Sequence, residues 1–230
     1  MFDREAVRLR EIILGRRAAS PLLHLGSSTR HFREVAKPHI QGELFGPLAA
    51  AGVAVVHCDI KAADGVDLVG DIMDPAIRAQ LATRGFRCLL VANLLEHIGD
   101  RAAVAAACEE VVGEGGLILA TVPSSYPYHA DPIDTGFRPT PAALAALFTA
   151  STPLLTEEVE GRTWQEEIRA RGSSTMREIA GTLGFALVAF ARPKGARARL
   201  HRWLWYRKRF RVAIALVQVA NPPSQAEASR

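Results

Sequence analysis

Four residues suited to holding a small polar ligand each stand just after a short apolar run: Gly26, Asp59, Asp71 and Asn93. Carboxylates accept hydrogen bonds from hydroxyl and amino groups, and a glycine lets the backbone approach a ligand closely. Stretches with helical spacing separate the apolar runs. Alternating buried strands and helices predict a parallel sheet covered on both faces, which binds ligands at the carboxyl ends of its strands. The four residues therefore occupy the positions expected of a nucleotide-like site.

The elements that must position these residues follow from hydrophobic periodicity and turn signals. Strands are expected at 21–25, 53–58, 66–69, 87–92, 117–122, 185–191 and 212–219. Helices are expected at 3–18, 42–51, 75–83, 100–112, 141–149 and 173–182. Pro38 excludes one straight helix through 31–40, and Asp74 before Pro75 is typical of a helix N-cap. The pattern predicts an α/β fold.

The chain of 230 residues is long enough for one large α/β domain, which we assign to residues 1–220. Residues 221–230 are expected to form a disordered tail. No apolar run is long enough to span a membrane, and the first residues lack a signal pattern. The three cysteines, Cys58, Cys88 and Cys108, are predicted to be buried free thiols in a reducing compartment. A cytoplasmic location is therefore expected.

Residues 194–211 form a basic segment that carries eight of the positive charges in only eighteen residues. The charge is local, whereas nucleic-acid-binding proteins usually spread a basic footprint over a face, so nucleic acid is not the expected partner. Trp203, Trp205 and Tyr206 lie among these cations. This mixture favours peripheral contact with an anionic membrane through an insertion between the last two strands. The alternative is a solvated connection whose aromatic rings pack on the core.

Three longer motifs are more specific than the strand ends. The first is Val91-Ala92-Asn93-Leu94-Leu95-Glu96-His97-Ile98, and the second is the run 112–123, which contains Gly113-Glu114-Gly115-Gly116. The third is the loop Tyr126-Pro127-Tyr128-His129-Ala130-Asp131-Pro132-Ile133-Asp134, followed by Phe137-Arg138-Pro139-Thr140-Pro141. Together they resemble the class I methyltransferases that use S-adenosylmethionine (SAM), in particular the branch often found beside polysaccharide and glycosylation enzymes. The resemblance covers roughly residues 20–150 and the closing strand pair.

This resemblance implies a Rossmann-like three-layer sandwich whose mostly parallel sheet has a reversed C-terminal strand. It also implies that Gly26 and Ser28 lie in the loop under the methionine part of SAM, and that Asp59 holds the ribose hydroxyls. Asp71 would accept a hydrogen bond from the adenine amino group, and the Ile72 backbone would meet a ring nitrogen. Asn93 would face the mouth of the site.

The first glycine-rich motif departs from the family pattern. The family has an acid two residues before the first glycine and two further alternate glycines, where this chain has His24, Ser28 and Arg30. Ser28 can still fit, but His24 and Arg30 cannot take the roles of the residues they replace. The departure keeps open a non-catalytic relative that uses the fold for binding or as a scaffold.

The loop after the fifth predicted strand is the expected acceptor side of the site. His129 is the candidate base, because histidine is the usual proton acceptor near neutral pH, and Tyr128, Asp131 and Asp134 are candidate acceptor contacts. The alternative is a proline-stiffened loop whose aspartates cap turns. A metal site is not predicted, since the spacing matches no defined motif. Glu96-His97 is expected to orient the following helix.

The sequence thus predicts a SAM-dependent methyltransferase acting on a hydroxyl oxygen of a sugar or related metabolite, including a phosphorylated or lipid-linked one. A nicotinamide-dependent oxidoreductase is disfavoured because the dinucleotide glycine fingerprint is missing.

Overall fold

One seven-stranded sheet forms the centre of the protein in a computed structural model that describes residues 1–16, 19–128, 133–187 and 193–220. The strands lie in the order β3-β2-β1-β4-β5-β7-β6. Their bounds are β1 (Leu22–Leu25), β2 (Val55–Asp59), β3 (Leu68–Val69), β4 (Cys88–Ala92), β5 (Leu117–Ser125), β6 (Ser151–Thr163) and β7 (Arg209–Val219). Strands β1 to β5 pair in parallel, and β7 runs antiparallel to both β5 and β6. The predicted sheet with a reversed C-terminal strand is confirmed.

Helices connect these strands and cover the sheet. Their bounds are α1 (Asp3–Leu14), α2 (Pro38–Ile40), α3 (Gly46–Ala50), α4 (Pro75–Ala82), α5 (Arg101–Val112), α6 (Pro141–Ala145), α7 (Trp164–Ala170), α8 (Thr175–Leu187) and α9 (Pro193–Arg202). The described residues also include two π-helical turns (Phe32–Ala36 and Gln41–Phe45) and the 3-10 turns Leu95–His97 and Trp203–Trp205. Pro38 begins α2, and Asp74 caps α4 by accepting the Ala76 N–H at 2.8 Å, both as expected.

The alternation of side chains along β1 shows how the two faces of the sheet are filled. Leu23 and Leu25 pack in a core that includes residues of α4, α5 and α6. Leu22 points to the other face and packs in a second core with residues of α1 and α3. Because the central strands are buried on both faces, their sequences are continuous apolar runs. The result is the predicted three-layer sandwich.

The predicted strand at 185–191 is wrong for its first three residues, and the rest of it is outside the described ranges. Residues 185–187 belong to α8, and residues 188–192 lie outside the part of the chain that the structure describes. The strand beside β7 is β6, which pairs with β7 from Ser151 to Thr163. Because β6 is an edge strand, it needs little apolar surface. It contains several glutamates, so its sequence lacks the apolar run that predicts the central strands.

The connection from β6 to β7 consists of α7, α8, α9 and the turn Trp203–Trp205. The basic segment 194–211 falls within α9, this turn and the first residues of β7. Within the described ranges, no helix is long and apolar enough to cross a membrane. The predicted tail 221–230 lies outside the described residues, and the assignment of 1–220 to one domain stays a prediction. Cys58, Cys88 and Cys108 are buried free thiols, and burial raises the pKa of each.

Candidate functional site

The loop after β1 turns sharply at two residues of the altered glycine motif. Gly26 has φ +69°, and a Cβ there would lie 3.1 Å from the Leu94 side chain. Ser28 has φ +56°, a left-handed conformation that is uncommon for a residue other than glycine. Ser28 therefore adopts the backbone conformation that glycine usually supplies, and the loop keeps its tight turn despite the substitution.

Asp59, at the end of β2, holds this loop directly. Its Oδ2 accepts the Ser28 N–H at 2.8 Å, and its Oδ1 accepts the Lys61 N–H at 3.1 Å. A carboxylate can accept about four hydrogen bonds, so both oxygens retain acceptor capacity. The structure thus brings Ser28 and Asp59 together, as the sequence predicted for two residues of one site.

Arg33, which the sequence analysis missed, is buried beneath the same loop. Its Nη1 donates to the carbonyl oxygens of Ser27 (2.9 Å) and Ser28 (2.8 Å), and its Nη2 donates to that of Gly65 (2.7 Å). Arg33 therefore fixes the backbone of the loop after β1 and joins it to the turn before β3. The neighbouring cation Arg30 has a different role, since it pairs with Asp64 at 3.1 Å on the surface.

His24 stands where the family has an acid, and it packs on one face of the sheet rather than on the loop. Its Nδ1 lies 3.1 Å from the Nδ1 of His57 on β2, and both rings contact Phe45 with centroids 4.8 Å apart. Burial lowers the pKa of His57 to about 4 and the pKa of His24 well below its usual value. Both imidazoles are therefore neutral near pH 7, and one ring donates to the other.

Asp71 and Ile72 follow β3 at the next strand end. Asp71 is exposed, and its Oδ1 accepts the Met73 N–H at 2.9 Å in a tight turn. Because Asp74 caps α4, Asp71 is not needed for that task. The Ile72 side chain is buried in the core. Asp71 therefore remains open to a ligand at this edge of the sheet.

Asn93 directly follows β4 with φ +53°, and its side chain contacts α1. Its Nδ2 donates to Glu5 Oε1 at 2.7 Å, and the same oxygen accepts Thr121 Oγ1 at 2.7 Å. The other Glu5 oxygen accepts the Phe2 N–H at 2.9 Å. Glu5 is fully buried and was missed by the sequence analysis. Glu5 joins the start of α1 to the residue after β4 and to the middle of β5.

Glu96 and His97 lie in the 3-10 turn after β4. The His97 Nδ1 is 2.5 Å from the Ile133 carbonyl oxygen, and the Glu96 carbonyl accepts the Thr135 N–H at 3.1 Å. These contacts hold the far part of the acceptor-side loop. The Glu96 side chain is 2 % exposed, and burial raises its pKa to about 7. Its Oε2 has no hydrogen-bond partner among the described residues.

The predicted acceptor residues are only partly within the described ranges. His129 and Asp131 lie outside them. The Tyr128 N–H donates to His201 Nδ1 at 3.0 Å. Asp134 forms an ion pair with Arg138 at 2.6 Å and accepts the Gly136 N–H at 2.8 Å. These contacts show Asp134 bracing its own loop, while its role toward an acceptor stays a prediction.

A cavity of about 860 Å³ lies between the start of α1, α2 and α7, and the predicted cofactor residues are not part of its lining. Phe2 and Tyr126 form an aromatic part of its wall, with ring centroids 5.7 Å apart. Lys37 contributes a cation to the cavity, whereas the cations Arg162 and Arg171 pair with Asp3 and Glu167 of the same wall, at 2.6 and 2.7 Å. The N–H of Phe2 donates to Glu5, which links this wall of the cavity to Asn93 and Thr121. Its size and lining suit a small molecule with a ring and an anionic group.

Neither a protein-family model nor a curated protein sequence matches the chain. Solved structures match its fold. The cyclase SpnF is 17 % identical, with 95 % of this chain and 82 % of that chain covered and a TM-score of 0.54. A SAM-dependent methyltransferase from Archaeoglobus fulgidus is 12 % identical (94 % and 93 % covered, TM-score 0.53). Coclaurine N-methyltransferase, bound to N-methylheliamine and S-adenosylhomocysteine, is also 12 % identical (94 % and 70 % covered, TM-score 0.51).

At these identities the likeness concerns the fold. The chain has the Rossmann-like fold of the class I SAM-dependent methyltransferases, with the reversed strand β7 between β5 and β6. The finer resemblance to the branch associated with polysaccharide and glycosylation enzymes remains a prediction.

Proposed function

We propose that the protein is a SAM-dependent methyltransferase that methylates a hydroxyl oxygen of a sugar or related small metabolite. The observation that carries the proposal is the Ser28–Asp59 contact, which joins a tightly turned loop after β1 to a carboxylate with spare acceptor capacity at the end of β2. The structural neighbours support it, since one of them binds S-adenosylhomocysteine.

The residues present fit SAM at this edge of the sheet. Gly26 packs against Leu94, and its positive φ turns the loop after β1. This loop would lie under the methionine part of SAM. Asp59 would accept hydrogen bonds from the ribose hydroxyls, Asp71 would accept one from the adenine amino group, and the Ile72 backbone would face the ring. Asn93 would lie at the mouth of the SAM site, on the side where the acceptor binds. The sulfonium group of SAM supplies an activated methyl group.

The loop after β1 is still supported, although His24, Ser28 and Arg30 depart from the family motif. In the family an acid accepts hydrogen bonds through this loop, whereas here Arg33 holds the carbonyl oxygens of Ser27 and Ser28 from below. His24 is left free of that task and packs against His57. We infer that the loop reaches a similar conformation with a different set of supporting contacts.

The acceptor belongs in the 860 Å³ cavity. A sugar ring can pack against Phe2 and Tyr126, and Lys37 suits an acceptor that carries a phosphate or carboxylate. Arg162 and Arg171 already pair with Asp3 and Glu167 of the same wall. His129 would take the hydroxyl proton as the oxygen attacks the methyl group, and Tyr128 and Asp131 would contact the acceptor.

A direct binding experiment tests the proposal. A ligand that binds only the folded state stabilises it by about 2.7 kcal/mol at a hundredfold excess over Kd. We expect SAM and S-adenosylhomocysteine to raise the melting temperature and NAD to leave it unchanged. If millimolar SAM gives neither a shift nor heat in calorimetry, the methyltransferase proposal is wrong.

The second candidate is a non-catalytic or differently catalytic use of the same fold. It is favoured by the replacement of the motif acid by His24, and one structural neighbour is a cyclase. This candidate predicts no methyl transfer from isotopically labelled SAM to any acceptor in a panel of phosphorylated and free sugars, even where SAM binds.

A further inference from the structure

The apolar side chains of α8 lie on its solvent-exposed face. Met176, Ile179 and Leu183 are spaced by three and four residues, so they form one stripe along the helix. Their exposed fractions are 74 %, 37 % and 65 %. This stripe covers none of the described hydrophobic cores.

Among the α8 residues whose side chains the structure describes, Glu178 and Thr182 on the other side of the helix are polar and make contacts that hold it. Thr182 is 9 % exposed, and its Oγ1 accepts the Trp203 Nε1–H at 3.2 Å. Glu178 lies 3.8 Å from Arg199 of α9. A helix on a water-soluble surface normally buries its apolar side and exposes its polar side. The arrangement of α8 is the reverse, which indicates that its apolar stripe meets an apolar partner.

Two further apolar side chains are exposed after α8. Leu200 of α9 is 56 % exposed, and Leu204 of the following turn is 67 % exposed. Leu204 lies between two tryptophans and is followed by the exposed cations Arg207 and Lys208. Apolar and cationic side chains therefore alternate along this part of the chain.

The cations of the basic segment divide into two groups. Arg211 pairs with Glu158 at 3.1 Å and with Glu160 at 2.9 Å, and Arg209 lies 3.7 Å from Glu160. In contrast, no carboxylate of the described residues lies within ion-pair distance of Arg207 or Lys208, and Lys208 instead lies over the Trp205 ring, 5.0 Å from its centroid. The second group remains available to an external anion.

We propose that these residues form a docking surface for an anionic lipid bilayer. The docking surface comprises Met176, Ile179, Leu183, Leu200, Leu204, Arg207 and Lys208. Leucine side chains enter the boundary between headgroups and acyl chains, while lysine and arginine contact lipid phosphates. A second copy of the chain is a poorer fit, because it would bring like charges together. A nucleic acid would pair with the cations and leave the leucines in water.

Vesicle sedimentation of the full chain tests the proposal. Wild type should pellet with vesicles of phosphatidylcholine and phosphatidylglycerol at low salt, and should stay in the supernatant with phosphatidylcholine alone. Leu183→Gln and Leu204→Gln should each weaken binding about tenfold, since each removes a large apolar side chain from the interface. Arg207→Gln with Lys208→Gln should weaken it more than tenfold and reduce its salt dependence.

Val35→Gln is the matched control, because Val35 is 64 % exposed on a different part of the surface. It should bind vesicles as wild type does. All variants replace exposed side chains, so their melting temperatures should match that of wild type, and each is compared at equal folded fraction.

Three results would overturn the proposal. One is wild type that remains in the supernatant at low salt. Another is binding that responds to the charge variants but not to the leucine variants, which would indicate adsorption without insertion. The third is a doubled mass in light scattering that Leu183→Gln abolishes, which would identify the stripe as an interface between two copies. None of these results depends on whether the protein binds SAM.

Discussion

The N–H of Ser28 lies 2.8 Å from Oδ2 of Asp59, so the carboxylate at the end of β2 holds the loop that follows β1. Two neighbouring parallel strands are thereby joined at the edge where a ligand would bind. The Asp59 carboxylate therefore supports the loop and, in the proposed function, also contacts the ribose.

Asp59→Asn separates these two roles. The asparagine oxygen can still accept the Ser28 N–H, but the charge-assisted acceptor for the ribose is lost. We expect SAM to bind about 10–100-fold more weakly by calorimetry, while the melting temperature without ligand changes little. Asp64→Asn is the matched control, since Asp64 is an exposed aspartate in the following turn that pairs with Arg30. Equal affinity in the two variants would argue against the ribose contact.

Glu5→Gln tests the attachment of α1 to the sheet. The buried Glu5 side chain accepts from Phe2, Asn93 and Thr121, and a glutamine would turn an NH2 group toward one of these donors. We expect the free energy of unfolding to fall by about 2 kcal/mol in urea titrations. Glu11→Gln, on the exposed side of the same helix, should change it by less than about 0.5 kcal/mol. A loss of similar size in both variants would show that Glu5 has no special role.

Glu96 gives the protein a pH-dependent stability. Burial raises its pKa from 4.5 to about 7, so the folded protein retains a proton that the unfolded chain releases between these pH values. The contribution of Glu96 to stability is therefore complete below pH 4.5 and is lost as the pH rises toward 7. Glu96→Gln should become progressively more stable relative to wild type across this window, as measured by urea titrations at several pH values. A constant difference would contradict the raised pKa.

His129→Ala tests the proposed base. If His129 takes the proton from the acceptor hydroxyl, turnover should fall by about 10²–10⁴-fold, while the Kd for SAM stays unchanged. Single-turnover rates with labelled SAM provide the measurement once an acceptor is found. Unchanged turnover would show that His129 is not the base and that the rate depends on the positioning of SAM and the acceptor alone.

The sheet could be predicted from the sequence because its central strands are buried on both faces. Their apolar runs ended where the structure places Gly26, Asp59 and Asn93. Strand β6 could not be found in this way, since an edge strand tolerates charges such as Glu157 and Glu158. The predicted helix at 173–182 agrees with the first part of α8. Residues 185–187, which the apolar pattern assigns to a strand, belong to the same helix.

The contacts that support the site could not be predicted from local sequence patterns. Glu5 meets Asn93 and Thr121 across 88 and 116 residues of chain, so nothing near Glu5 in sequence indicates its partners. Arg33 was hidden for a different reason. An arginine in a polar helical turn is ordinarily solvated, and only the fold shows that its guanidinium lies under the loop after β1.

The position of β7 has a consequence for synthesis on the ribosome. β7 is the last of the seven strands along the chain, yet it lies inside the sheet between β5 and β6. Until β7 has emerged from the exit tunnel, β6 has no hydrogen-bonding partner and one edge of β5 stays open. The nascent chain must therefore keep these unpaired strand edges from associating with other chains, and it can complete its sheet only after β7 has been translated.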